Sequence, residues 1–274
     1  MDKNNEIASK LYNSMADTYD NIDNEAFYIN QYNVYDSVID KFLNEMKNKN
    51  ILDLGCGTGI QTFRIAPICN KIIGIDISTQ LLEKATKKCS NLNNVTFKEA
   101  DATLLPFENN SFDIVISFGE TISHINDYEK AYKESLRVLK PGGYFIFSVL
   151  NKWNIGLFYS LLELKSAVWL KDGHFRIWKC EDDNGNETQM ELKTFSRDEI
   201  QRILKKYNTN IIYSQGIHIC SLIIPLIFQR GVLNIFGKIF YLLGNFDKLY
   251  SSIKPICNFG YTCLYVSKKE LNNE

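Results

Sequence analysis

The sequence predicts an α/β fold in which a mostly parallel sheet is covered by helices on both faces. Three observations carry this prediction. Apolar runs of strand length alternate with segments of helical period between residues 50 and 150. Three glycines in a turn close the first run and open into a helical segment. The composition, 274 residues with 45% hydrophobic and 23% charged, is that of a globular chain and excludes disorder, collagen and coiled coil.

Residues 28–46 place Tyr28, Tyr32, Tyr35, Ile39, Phe42 and Met46 three or four apart, one helical face packed ahead of the first strand. Residues 50–54 read as that strand, 55–59 as the glycine turn and 60–66 as helix. Further strands are expected at 71–76, 95–98, 112–117 and 144–150, with helices at 78–89 and 127–139 and a turn at 140–143. Ser78 is the expected cap of the first of these helices. Beyond residue 150 the rhythm changes: 174–180 and 187–195 alternate with period two around Asn184-Gly185, the signature of a hairpin. Ser196 and Glu199 form a capping box for a helix through 207, and 210–218 and 259–266 read as strands.

Between 217 and 243 only Arg230 and Lys238 are charged, yet Pro225 and Gln229-Arg230-Gly231 divide the stretch into pieces too short for a membrane span of ~20 residues. Its second piece sets Val232, Ile235, Phe236, Ile239, Phe240 and Leu243 on one face, an amphipathic cap helix. With 31 basic against 32 acidic residues the net charge is −1, so no global field draws the chain to nucleic acid or membrane. The seven cysteines include no CxxC and no zinc-ligand spacing with the three histidines, so no metal is expected. A polar N-terminus without the apolar run of a signal peptide places the chain in the cytoplasm.

The glycine turn carries the first chemical signal. At the carboxyl end of the first strand it lets a ligand approach the backbone. The spacing Gly55-x-Gly57-x-Gly59 continues to Thr62, where a dinucleotide fingerprint has its third glycine, so a pyrophosphate is disfavoured. Asp76 ends the second strand about 20 residues on, where a carboxylate accepts from ribose hydroxyls. Together they describe a site for a nucleoside without a diphosphate.

Ile51-Leu52-Asp53-Leu54-Gly55-Cys56-Gly57-Thr58-Gly59 resembles the first motif of the class I S-adenosylmethionine-dependent methyltransferases. Gly74-Ile75-Asp76-Ile77-Ser78 is similar to the family's ribose-binding strand end, and Ala100-Asp101-Ala102-Thr103-Leu104-Leu105-Pro106-Phe107 to its adenine-flanking segment. Residues 112–117 and 136–143 resemble its fourth strand and the turn before the fifth. Residues 12–20 resemble the N-terminal segment that small-molecule methyltransferases, such as the ubiquinone and menaquinone biosynthesis group, fold over the cofactor. The resemblance implies a Rossmann-like, doubly wound, seven-stranded and mostly parallel sheet with an antiparallel last strand, plus an inserted hairpin and a helical lid. It divides a single domain over 1–274 into a helical cap (1–48), a cofactor-binding half (49–150) and lid insertions (151–195 and 219–258).

It implies further that Asp53, Gly55, Cys56, Gly57 and Gly59 hold the methionine part of S-adenosylmethionine, and that Asp76 binds the ribose. Ile77, Asp101 and Ala102 would meet the adenine, Ser117 and Phe118 would line the path to the acceptor, and Tyr12 and Tyr19 would close over the cofactor. The product would be S-adenosylhomocysteine. His124 is the first candidate for a base, followed by Glu120, His174 and His218. The aromatic-rich insertions, with Trp153, Trp169 and Trp178, point to a small, partly apolar acceptor under a lid, bound by a monomer or homodimer. Lys84, Lys87 and Lys88 support a tRNA or protein methyltransferase as the alternative. A non-catalytic cofactor-binding subunit is the second, and a nicotinamide oxidoreductase is opposed by Thr62.

Overall fold

A computed structural model describes residues 3–22, 26–154, 169–170, 175–181, 185, 187–221 and 235–271. A seven-stranded sheet is formed by β1 (Asn50–Leu54), β2 (Lys71–Asp76), β3 (Val95–Glu99), β4 (Phe112–Ser117), β5 (Leu139–Leu150), β9 (Thr209–Ile217) and β10 (Thr262–Lys269), in the order β3-β2-β1-β4-β5-β10-β9. Neighbours from β3 to β5 are parallel, while β10 runs antiparallel to both β5 and β9. The expected antiparallel last strand is therefore present. A separate three-stranded sheet joins β6 (Trp169–Leu170) to the antiparallel hairpin β7 (Phe175–Glu181) and β8 (Glu187–Lys193).

Helices cover both faces: α1 (Lys3–Ser14), α2 (Tyr19–Ile22), α3 (Ala26–Lys41), α4 (Leu43–Met46), α5 (Ile60–Ile65), α6 (Thr79–Lys88), α7 (Tyr128–Val138), α8 (Arg197–Lys205) and α9 (Ile235–Tyr250). Side-chain alternation along the strands builds two cores. Leu52, Val115, Phe145 and Phe147 pack with Tyr132 of α7 and Ile200 of α8 on one face. Ile51, Ile114, Ile116 and Ile146 pack with Val38 of α3 and Ile65 of α5 on the other. Each such side chain stabilises the fold by about 1.5–3 kcal/mol through burial, which fixes the register of the central strands. Ser78, Asp127 and Ser196 cap α6, α7 and α8, each accepting from a backbone N–H three residues on.

Three expectations need correction. The helix expected over 28–46 is divided, α3 ending at Lys41 and α4 beginning at Leu43. The expected turn at 140–143 lies inside β5: Phe112 pairs with Leu139 and Ile114 with Tyr144, so the intervening residues bulge from a continuous strand. In α9, Ile239 of the expected face is exposed and Leu243 half-buried, whereas Gly244 and Asp247 turn inward, Gly244 against the Asn30 side chain of α3; the side chains of Val232, Ile235, Phe236 and Phe240 lie outside what is described. Much of the two expected lid insertions lies outside the described residues.

From β1 the chain winds outward through β2 and β3, then returns to place β4 on the other side of β1. The carboxyl ends of β1 and β4 thus diverge at a topological switch point, where open α/β sheets bind ligands.

Candidate active site

The glycine turn is fastened to the second strand by its own backbone. Gly55 N and Cys56 N donate to Ile75 O at 2.8 and 2.9 Å, and Gly57 N donates to Asp76 Oδ2 at 2.9 Å. Gly55 has φ +72° and Gly59 φ +78°, the left-handed region that glycine enters without penalty. Space forbids a side chain at either position, since a Cβ on Gly55 would strike Thr121 and one on Gly59 would lie 3.0 Å from Ala85 and 3.2 Å from Phe97. Ser78 N completes the Asp76 carboxylate at 2.9 Å. Backbone N–H groups thus fix both oxygens of the carboxylate.

Asp53, 3% exposed, stands behind the turn. Thr62 Oγ1 donates to its Oδ2 at 2.5 Å, which gives the residue in place of a third glycine a role of its own. Burial pushes the Asp53 carboxyl up to about 7 despite that hydrogen bond, with the Asp76 charge adding to the rise. Burial also raises Asp76. Among the described residues neither carboxylate forms an ion pair with lysine or arginine, so together they favour a cation in the cavity they share.

Helix α1 crosses the carboxyl ends of β2 and β3. Asn5 Nδ2 donates to Asp101 Oδ2 at 3.0 Å, Ser9 Oγ to Ile77 O at 3.1 Å and Ser78 Oγ to Asn13 Oδ1 at 2.7 Å. Asp101 Oδ1 accepts from Thr103 N and Oγ1, both at 2.8 Å, which sets its orientation. The segment after α1 is tied down by ion pairs of Lys84 with Asp17 at 2.9 Å and Lys88 with Asp20 at 3.2 Å. Thr58 Oγ1 of the glycine turn donates to Asp20 Oδ1 at 2.6 Å and brings Tyr19 over Gly57. The Tyr12 and Tyr19 rings meet edge to face at 6.1 Å.

Beyond β4 the chain turns through Gly119 (φ +67°) and Glu120 (φ +57°) into a 3₁₀ turn, Thr121–His124. Phe118 stacks on Tyr35 of α3 at 4.5 Å. Gln31 Nε2 and the Tyr35 hydroxyl donate to Glu120 Oε1 at 2.7 and 3.2 Å, and Tyr35 also hydrogen-bonds Ser148 at 3.0 Å. The Tyr12 hydroxyl and His124 Nδ1 are 3.2 Å apart. Burial lowers His124 to about 4, which keeps its imidazole neutral at neutral pH, and raises Glu120 against the hydrogen bonds that Gln31 and Tyr35 donate to it.

These parts line one cavity. Asp53, Gly55, Cys56, Gly57, Asp76, Ile77, Asp101 and Ala102 form one wall, and Tyr12, Tyr19, Tyr32, Tyr35, Phe118 and His124 the other. Ser117, Gly59 and the candidate base Glu120 are not in the lining, Glu120 turning its carboxylate to Gln31 and Tyr35 behind it. Ser117 is fully buried, since strand alternation turns its side chain into the sheet's interior, and Gly59 is enclosed between Ala85 and Phe97. His218 is buried elsewhere, stacked on Phe27 at 3.9 Å, and His174 lies outside the described residues. Sequence reasoning had read Tyr32 and Tyr35 only as one face of a packed helix, and had not singled out Asn5, Thr121 or Gln61. Gln61 is 7% exposed, and its amide nitrogen and oxygen have no hydrogen-bond partner among the described residues.

Residues 52–147 match the family model of a methyltransferase domain. The chain is 33% identical over 221 residues to an uncharacterized protein of Methanocaldococcus jannaschii, covering 77% of this chain and 80% of that one. This chain belongs to the class I S-adenosylmethionine-dependent methyltransferases. It is also 36% identical over 145 residues to the demethylmenaquinone methyltransferase of Lactococcus lactis, a match covering 51% of this chain and 57% of that enzyme. The structure superimposes on an S-adenosylmethionine-dependent methyltransferase of Clostridium acetobutylicum with TM-score 0.57 at 18% identity, over 86% of this chain and 90% of the other, a likeness of fold. The family's cofactor is S-adenosylmethionine, and the cavity fits it: Asp53, without a lysine or arginine partner among the described residues, suits its ammonium charge, the Asp76 carboxylate suits hydroxyl donors, and the side-chain-free turn admits close backbone approach.

Proposed function

We propose that this methyltransferase acts in the cytoplasm, as a monomer or homodimer, on a small and partly apolar acceptor. The observation that carries this reading is the continuity of the aromatic wall with the glycine-turn wall in one cavity. When bound, S-adenosylmethionine supplies an electrophilic methyl group on a sulfonium. Asp76 would receive the ribose hydroxyls, Asp53 and the turn the methionine part, and Ile77, Asp101 and Ala102 the adenine. Tyr12, Tyr19 and Phe118 would then flank the sulfonium with aromatic surface, which favours a cation and excludes water. Gly59 would serve by shaping the turn, and Ser117 by supporting the end of β4 from within.

Alignment is the main task in displacing so good a leaving group. Tyr32, Tyr35 and Phe118 would offer flat apolar surface to an acceptor of similar character, and His124, in the cavity lining, would take a proton from a protic nucleophile, with Glu120 behind the lining holding Gln31 and Tyr35. The lysines that favoured a tRNA or protein acceptor are partly committed, Lys84 and Lys88 holding Asp17 and Asp20. The test is conversion of S-adenosylmethionine to S-adenosylhomocysteine in the presence of cell extract separated into small-molecule, tRNA and protein fractions. Turnover is expected with the small-molecule fraction; turnover confined to the tRNA or protein fraction, or none with any, contradicts the proposal.

A further inference from the structure

Helix α9 is held to the rest of the chain by a narrow polar seam. Gly244 meets Asn30 of α3 so closely that any side chain there would overlap the Asn30 amide. One turn on, the buried Asp247 carboxylate accepts from the backbone N–H groups of Ile219, Cys220 and Ser221 at 3.0, 2.6 and 3.4 Å. Ser251, also buried, receives Gly216 N on its carbonyl at 2.8 Å. Turned away from this seam, Ile239, Leu242, Phe246 and Tyr250 recur three and four residues apart and are 41%, 58%, 57% and 50% exposed. Ile253, also exposed, extends the stripe beyond the helix end. A described helix face that sets four large apolar side chains in solvent opposite a buried polar seam presents an interaction surface.

Within the segment that carries the stripe, the described exposed charges have one sign. From 235 to 259 the sequence holds Lys238, Lys248 and Lys254 against Asp247 alone. Asp247 is buried and spent on backbone donors, whereas Lys238 and Lys254 are exposed. This segment offers a second copy no exposed carboxylate of its own to pair with those lysines. An anionic lipid surface complements both the apolar stripe and its rim. At 16 residues α9 is about 24 Å long, short of the ~30 Å hydrocarbon core, and no described helix is long and apolar enough to cross a membrane. The geometry points to a peripheral docking surface on which α9 lies in the plane of an anionic bilayer, with Leu242 and Phe246 inserted and Lys238 and Lys254 at the headgroups. The same α3 that meets α9 at Asn30 also carries Tyr32 and Tyr35 of the cavity lining.

Flotation of the full chain with phosphatidylcholine vesicles, and with vesicles of phosphatidylcholine and phosphatidylglycerol, tests this surface. The chain is expected to float with the anionic vesicles and to be released as salt is raised. L242E/F246E is expected to lower the bound fraction at least about tenfold, and K238E/K254E to weaken binding to anionic vesicles, with S-adenosylhomocysteine binding unchanged in both. Absence of binding to anionic vesicles, binding untouched by L242E/F246E, or a dimer of the full chain that L242E/F246E dissolves would overturn the proposal.

Discussion

The two walls of the cavity are built by different means. The wall at β1, β2 and β3 is chiefly backbone: a left-handed glycine turn, its amides on Ile75 and Asp76, and a carboxylate fixed by neighbouring N–H groups. The aromatic wall is assembled from side chains of distant segments, Tyr12 from α1, Tyr35 from α3 and Phe118 and His124 from the end of β4. Backbone geometry leaves little freedom to the ligand it receives, whereas side chains can be exchanged without disturbing the sheet. The first wall therefore suits a ligand shared by a family, and the second a ligand particular to one member.

That contrast breaks most readily at Asp76. Asp76→Ala removes the acceptor of two backbone hydrogen bonds and, in our reading, the ribose contact; at about 1.5–3 kcal/mol per hydrogen bond to a charged group, affinity for S-adenosylhomocysteine should fall about 100-fold or more by calorimetry. Glu120→Gln disturbs the other wall from behind, through its hydrogen bonds to Gln31 and Tyr35, and should divide the readouts, with turnover falling about tenfold or more while the affinity for S-adenosylhomocysteine stays within about twofold. Equal losses in both would mean that the walls are not separable.

Asp53 gives a pH test. Its carboxyl titrates near 7 in the ligand-free fold and near 3.9 when unfolded, so between those values the native state binds a proton that the unfolded chain has lost. Stability of the ligand-free protein is accordingly expected to decline as pH rises from about 4 to 7, in urea titrations. A cationic ligand selects the ionised form, so affinity for S-adenosylhomocysteine should increase up to about tenfold from pH 6 to pH 8, and Asp53→Asn should flatten that slope. The smallest effect belongs to the roof: Lys88→Ala loses a partly exposed pair with Asp20 and should weaken S-adenosylhomocysteine by no more than about 1 kcal/mol.

The same division explains how much was legible in the sequence. Strands β1, β2 and β4 and the caps Ser78 and Ser196 follow from local rules, because apolar runs, glycine spacing and capping chemistry act over a few residues. The turn and Asp76 were legible for that reason. Tyr35 was read only as helix core, since its contacts with Glu120 and Ser148 span 85 and 113 residues and no local pattern reports them. Gln61 carried no signal either, as its unpaired amide is a property of the assembled cavity. In α9 the apolar period gave the helix but not the exposure of Ile239 nor the inward turn of Gly244 and Asp247, which rest on contacts with Asn30 and with residues 219–221 far along the chain.

The central claim is that one cavity joins a backbone wall for the cofactor to an aromatic wall for the acceptor. A crystal structure with S-adenosylhomocysteine bound tests it most directly. The account predicts the ribose on Asp76, the adenine beside Ile77 and Asp101, and the sulfur facing Tyr12, Phe118 and His124. A ligand bound away from Asp76, or a sulfur facing away from the aromatic residues, would contradict it.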